Sequence, residues 1–141
     1  MKRFATMVLT AVGVALVAAM LPEPAPAADA PDDRVAAMYF HRTQRCPTCL
    51  KMGSYAQEAV KTGFADEVKD GTVAFYMVDF QDEKNAALAK GYKISGPALI
   101  VAKITDKKVA QFKNLEEIWE HVADKKAFIE YVQDNVANYV E

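Results

Sequence analysis

Short, almost wholly apolar runs separated by stretches of helical period constrain this fold more than any other feature of the chain. Val35 to Phe40 is one such run. A strand with one wet face alternates apolar and polar residues, whereas a run that is apolar throughout suits a strand buried on both faces. Thr72 to Val78 and Ala98 to Ala102 read the same way. Between the first two runs, Met52, Tyr55, Ala56, Ala59, Val60 and Phe64 recur at three- and four-residue steps, the mark of one helix face. That helix begins at Pro47, since proline is tolerated in a first turn whose N–H groups have no partner anyway. Gly63 and the turn Lys69-Asp70-Gly71 end it.

Asp82 is placed to cap a short helix over Ala86 to Ala89, with Gly91 as its stop. Asp106-Lys107-Lys108 turns the chain into a fourth strand, Val109 to Phe112. Asn114 and Glu117 have the spacing of a capping box. Leu115, Ile118, Trp119 and Val122 follow as an apolar stripe, which makes Trp119 a core residue. The phase breaks near Asp124, which caps a last helix with Phe128, Ile129, Val132, Val136 and Tyr139 on its inner face. The order is β-α-β-α-β-β-α. Strands joined through a helix pair in parallel, and the last two form an antiparallel hairpin. The expected fold is α/β, a mixed four-stranded sheet flanked by helices on both faces.

The start of the chain has a different character. Lys2 and Arg3 precede an uncharged apolar run, Phe4 to Leu21, and then Pro22-Glu23-Pro24-Ala25-Pro26-Ala27. A basic start, an apolar middle and a small-residue exit make a secretory signal peptide, with cleavage expected after Ala27. The alternative is an uncleaved anchor, for which the run is about long enough. No cysteine lies near its end to carry a lipid. The chain of 141 residues thus divides into a signal peptide (1–27), a flexible leader (28–34) and one domain (35–141). Seventeen Lys and Arg stand against nineteen Asp and Glu; without Lys2, Arg3 and Glu23 the balance is fifteen against eighteen, a net charge of −3. That is too mild to imply nucleic acid as a partner.

Both cysteines of the chain lie in Cys46-Pro47-Thr48-Cys49. Three chemistries use such a pair. A structural disulfide closing four residues contributes only about 2 kcal/mol by loop entropy, against about 3 for a fifteen-residue loop. A structural zinc site needs four ligands, and the histidines, His41 and His121, are remote from each other in sequence. Two thiols can also hold a soft metal or a trivalent arsenical. Redox exchange suits the position best. The pair follows a buried strand and opens a helix, where unpaired N–H groups and the positive end of the helix stabilise a thiolate. Arg45 is expected to act in the same direction, and the Thr48 hydroxyl to donate toward sulfur. Cys49, one turn on, is expected to be the more buried thiol and to resolve a mixed disulfide.

The order of elements, the place of the Cys-x-x-Cys and Gly96-Pro97 before a strand resemble the thioredoxin superfamily over roughly residues 34 to 140. The resemblance implies a cis peptide bond at Pro97, with the backbone around it docking substrate polypeptide. Gly96 would leave that surface open. It also implies a thiol–disulfide oxidoreductase without a bound cofactor or metal, exchanging electrons with protein dithiols and disulfides or an extracytoplasmic redox partner, here in the periplasm. There are departures. Thioredoxins carry Trp before the first cysteine and Gly-Pro between the two, where this chain has Arg45 and Pro47-Thr48. They place a buried acid six residues before the first cysteine, where this chain has Phe40. His41, otherwise a partly exposed turn residue, is the nearest titratable replacement. The context from Tyr39-Phe40-His41 to Cys49, behind a signal peptide, also resembles small exported chains labelled as a subunit of a nitrophenyl-compound nitroreductase. That likeness implies a subunit that passes electrons or binds a partner within a larger reductase.

Overall fold

The computed structural model describes residues 30–141; the expected signal peptide lies outside them. The strands are β1 (Arg34–His41), β2 (Val73–Asp79), β3 (Ala98–Thr105) and β4 (Lys108–Asn114). The helices are α1 (Pro47–Gly63), α2 (Ala65–Asp70), α3 (Ala86–Gly91), α4 (Ile118–His121) and α5 (Lys125–Val140). A single 3-10 turn, Glu83–Asn85, leads into α3. The strand order is β2-β1-β3-β4. β1 runs parallel to β2 and antiparallel to β3, and β3 and β4 form the expected antiparallel hairpin. The α/β class and the mixed four-stranded sheet flanked by helices are thus as expected.

Two of the three apolar runs are explained by where their side chains go; the third, in β2, is an edge strand on which Tyr76 and Met77 are exposed, not a strand buried on both faces. Successive residues of a strand point to opposite faces. Val35, Ala37 and Tyr39 of β1, with Leu99 and Val101 of β3, face one core shared with Met52, Ala56, Ala59 and Val60 of α1 and Phe128, Val132 and Val136 of α5. Ala36, Met38 and Phe40, with Ile100 and Ala102, face a second core under Ala89 and Tyr92. A run with no polar position is what a central strand between two cores requires.

Several local readings change. The helix from Pro47 stops at Gly63, and after Phe64 the chain starts the separate α2. The expected capping box is not formed, because Asn114 is still in β4 and pairs with Ile100. Glu117 caps α4 without a side-chain hydrogen bond. Asp124 does cap α5, accepting from the Ala127 N–H at 3.1 Å. The end of the expected leader is tied down rather than loose. The Asp33 carboxylate accepts from the Asp106 N–H at 3.0 Å, the Asp32 carbonyl from the Lys107 N–H at 3.2 Å, and Arg34 already opens β1. Asp106 and Lys107 both have positive φ (52° and 64°), the form of two-residue hairpin turn whose twist matches that of the strands.

Candidate active site

The thiol pair stands where β1 ends and α1 begins, at the carboxyl end of a central strand. β1 terminates at His41, and a four-residue loop carries the chain to Cys46. That loop is braced against the end of β2. The Thr43 hydroxyl donates to Asp79 Oδ2 at 2.7 Å, and the Thr43 N–H to Gln81 Oε1 at 3.0 Å. The Thr43 hydrogen bond, above all, holds the Asp79 carboxyl below its usual range.

Cys46 is the N-cap of α1, and Pro47 is the first helical residue. The Cys46 carbonyl accepts the first helical hydrogen bond, from Leu50 N–H at 3.0 Å. Its sulfur takes the part usually played by a capping oxygen: Sγ accepts from the Cys49 N–H at 3.1 Å. Both cysteines are free thiols, Cys46 exposed and Cys49 buried. The Cys46 thiol is held below its ordinary value, first by a hydrogen bond from the Cys49 side chain and then by the Cys49 N–H. Burial, followed by the hydrogen bond with Cys46, pushes the Cys49 thiol up. The two sulfurs therefore differ, the exposed Cys46 being the readier thiolate and the buried Cys49 the poorer one.

Two expected helpers act otherwise. Thr48 is exposed, and its backbone N–H, not its hydroxyl, is a minor contributor to lowering the Cys46 thiol. Arg45 is engaged with His41, its Nη2 lying 3.0 Å from His41 Nε2. His41 is not an exposed turn residue: it closes β1 and is only 7 % exposed. Its Nδ1 is 2.9 Å from the Arg42 carbonyl. Both contacts are satisfied when Nδ1 carries the proton and Nε2 accepts from Arg45.

Pro97 comes to the thiols as expected, but its peptide bond is trans, since no cis peptide bond is present among the described residues. Trans is the lower state by about 0.5–1 kcal/mol for an X–Pro bond, and Gly96 crowds nothing, with no atom within 4 Å of where its Cβ would stand. Cys46, Cys49 and Pro97 share a groove of about 350 Å³ with Arg42, Gln44 and Trp119. Trp119 is the residue whose reading changes most, being 47 % exposed. Leu115 and Ile118 are fully buried and anchor this segment, and the Leu115 N–H donates to the Leu99 carbonyl at 2.8 Å. The next side chain is thereby turned outward beside Pro97. A Trp absent before the first cysteine is thus present in the groove from a distant part of the chain.

Phe40 faces the α3 core, with its ring 6.0 Å from that of Tyr92, so it stands on the face of the sheet away from the thiols. The residue that does reach Cys49 is Tyr39, wholly buried, whose hydroxyl donates to the Cys49 carbonyl at 3.0 Å. Burial first, then the negative charge of the two thiols, pushes the Tyr39 hydroxyl up. Its signal in the sequence is parity: it shares the α1-facing side with Val35 and Ala37. Among the described residues, no group of three or more His, Cys, Asp or Glu is placed to hold a metal ion.

No protein-family model and no curated protein matches the sequence. Among solved structures, the chain is similar to a thioredoxin of Fasciola hepatica, with 18 % identity, 75 % of this chain and 81 % of that one covered, and a TM-score of 0.45. A mutant thioredoxin from Halobacterium salinarum matches with 18 % identity, 78 % of each chain and a TM-score of 0.42. A chloroplastic thioredoxin z matches with 21 % identity, 67 % of this chain and 80 % of that one, and a TM-score of 0.38.

Proposed function

We propose that this chain is an exported thiol–disulfide oxidoreductase, carried out of the cytosol by residues 1–27 and exchanging two electrons with partner proteins through Cys46 and Cys49. One observation carries the reading: an exposed sulfur caps the helix and is hydrogen-bonded by the residue that supplies the buried second thiol.

In the reducing direction, the Cys46 thiolate attacks one sulfur of a partner disulfide. A Cys46–partner disulfide forms, and the partner's other sulfur leaves as a thiolate. Cys49 then loses its proton to solvent and attacks Cys46 Sγ. The Cys46–Cys49 disulfide forms and the partner's second thiolate departs. The partner gains two electrons and the pair loses two. In the oxidising direction the same steps run backward. The Pro97–Trp119 groove is where the partner segment would lie. Within a larger reductase, such as the resemblance to nitrophenyl-compound nitroreductase subunits implies, the chain would serve as the electron-passing partner.

The test is trapping. With a disulfide-bonded test protein, Cys49→Ser should accumulate a reductant-sensitive adduct through Cys46, and Cys46→Ser should form none. Equal adducts from both variants, or none from Cys49→Ser, would refute the reading.

A further inference from the structure

Resting on the redox reading above, we propose that Tyr39 is a positioning residue for the second thiol: its hydroxyl, held 3.0 Å from the Cys49 carbonyl, fixes Cys49 for its attack on a mixed disulfide.

Three features place Tyr39 in this part. It is wholly buried at the end of β1, beneath the first turns of α1. Its ring needs the space that Gly53 leaves, since a Cβ there would lie 3.0 and 3.1 Å from two ring carbons of Tyr39 and 2.9 Å from Met77 Cε. Gly53 and Cys49 are four residues apart and so lie on one stripe of the helix, and Tyr39 meets both. Its hydroxyl ties the strand to the residue that carries the resolving sulfur. The same residue donates its N–H to Cys46 Sγ at 3.1 Å. Cys49 is thus gripped from both sides, by the attacking sulfur through its N–H and by the sheet through its carbonyl. A buried phenol that hydrogen-bonds a carbonyl already inside a helix adds little to the helix itself. Its effect falls on where that carbonyl, and the side chain beside it, stand relative to β1.

A disulfide probe with a coloured leaving group, 5,5′-dithiobis(2-nitrobenzoate), separates the two steps on the full reduced chain. Attack by Cys46 releases one nitrothiobenzoate and leaves the other as a mixed disulfide on Cys46. Attack by Cys49 on Cys46 Sγ releases the second and closes the Cys46–Cys49 disulfide. Tyr39→Phe keeps the ring and removes the tie. The second phase should slow about fivefold, the loss of one net hydrogen bond, while the first changes less than twofold. Tyr39→Leu should slow the second phase at least as much. A second phase unchanged in Tyr39→Phe, or both phases slowed equally, would overturn the proposal. If the unaltered chain releases only one equivalent, Cys49 does not resolve, and the redox reading falls together with the proposal. A normal second phase in the unaltered chain that persists in Tyr39→Phe overturns the proposal alone.

Discussion

Cys46 caps α1 with its own sulfur, and this local arrangement fixes much of the site's chemistry. The hydrogen bonds from Cys49 favour the charged form of Cys46, so the thiolate persists to lower pH than in an ordinary thiol. Alkylation rate follows thiolate fraction. Iodoacetamide labelling of Cys46 should therefore reach half its maximal rate below the ordinary thiol midpoint of about pH 8.5. Cys49→Ala removes the thiol that hydrogen-bonds that sulfur and should move the midpoint up. A midpoint at the ordinary value, or one unmoved by Cys49→Ala, would contradict the assignment. The thiols and their order of burial were legible in the sequence because their position on a β-to-α junction dictates both. Arg45 was not. Adjacency along the chain says nothing of direction, and the buried His41 ring offers its guanidinium a hydrogen-bond acceptor at 3.0 Å.

At the scale of elements, the Asp124 cap and the central strands were the readable parts. The Asp124 carboxylate satisfies an otherwise unpaired N–H at the start of α5. Asp124→Ala should cost about 1 kcal/mol in urea unfolding, with the slope unchanged. No loss of stability would show that α5, already packed on α1, does not need its cap. The central strands were legible because burial on two faces leaves no polar position. The Leu115 to Val122 segment was not, because its spacing fits one continuous stripe while the real element is a tight turn and the short α4. Leu115 and Ile118 take the core positions, leaving Trp119 outside. The Pro97 peptide bond follows the local preference for trans, and the cis expectation came from the resemblance alone.

Across the whole molecule, one strand organises the rest. β1 pairs in parallel with β2 on one side and antiparallel with β3 on the other, so the thiols at its carboxyl end stand beside the amino end of β3. That pairing brings Pro97 from fifty residues away in sequence to the groove, and the Leu115–Leu99 hydrogen bond brings Trp119 after it. Sequence order predicted the sheet, and alternation along β1 is the signal that puts Tyr39, with Val35 and Ala37, on the face toward α1 and Phe40 on the other. The central claim is that Cys46 and Cys49 form one reversible couple. Equilibrating the full chain in glutathione buffers of graded ratio and counting free thiols by mass tests it directly. The account predicts that both thiols disappear and return together, two electrons per chain, and that Cys46→Ser or Cys49→Ser abolishes the transition. Thiols that stay unchanged across the series, or that titrate separately as glutathione adducts, would contradict it.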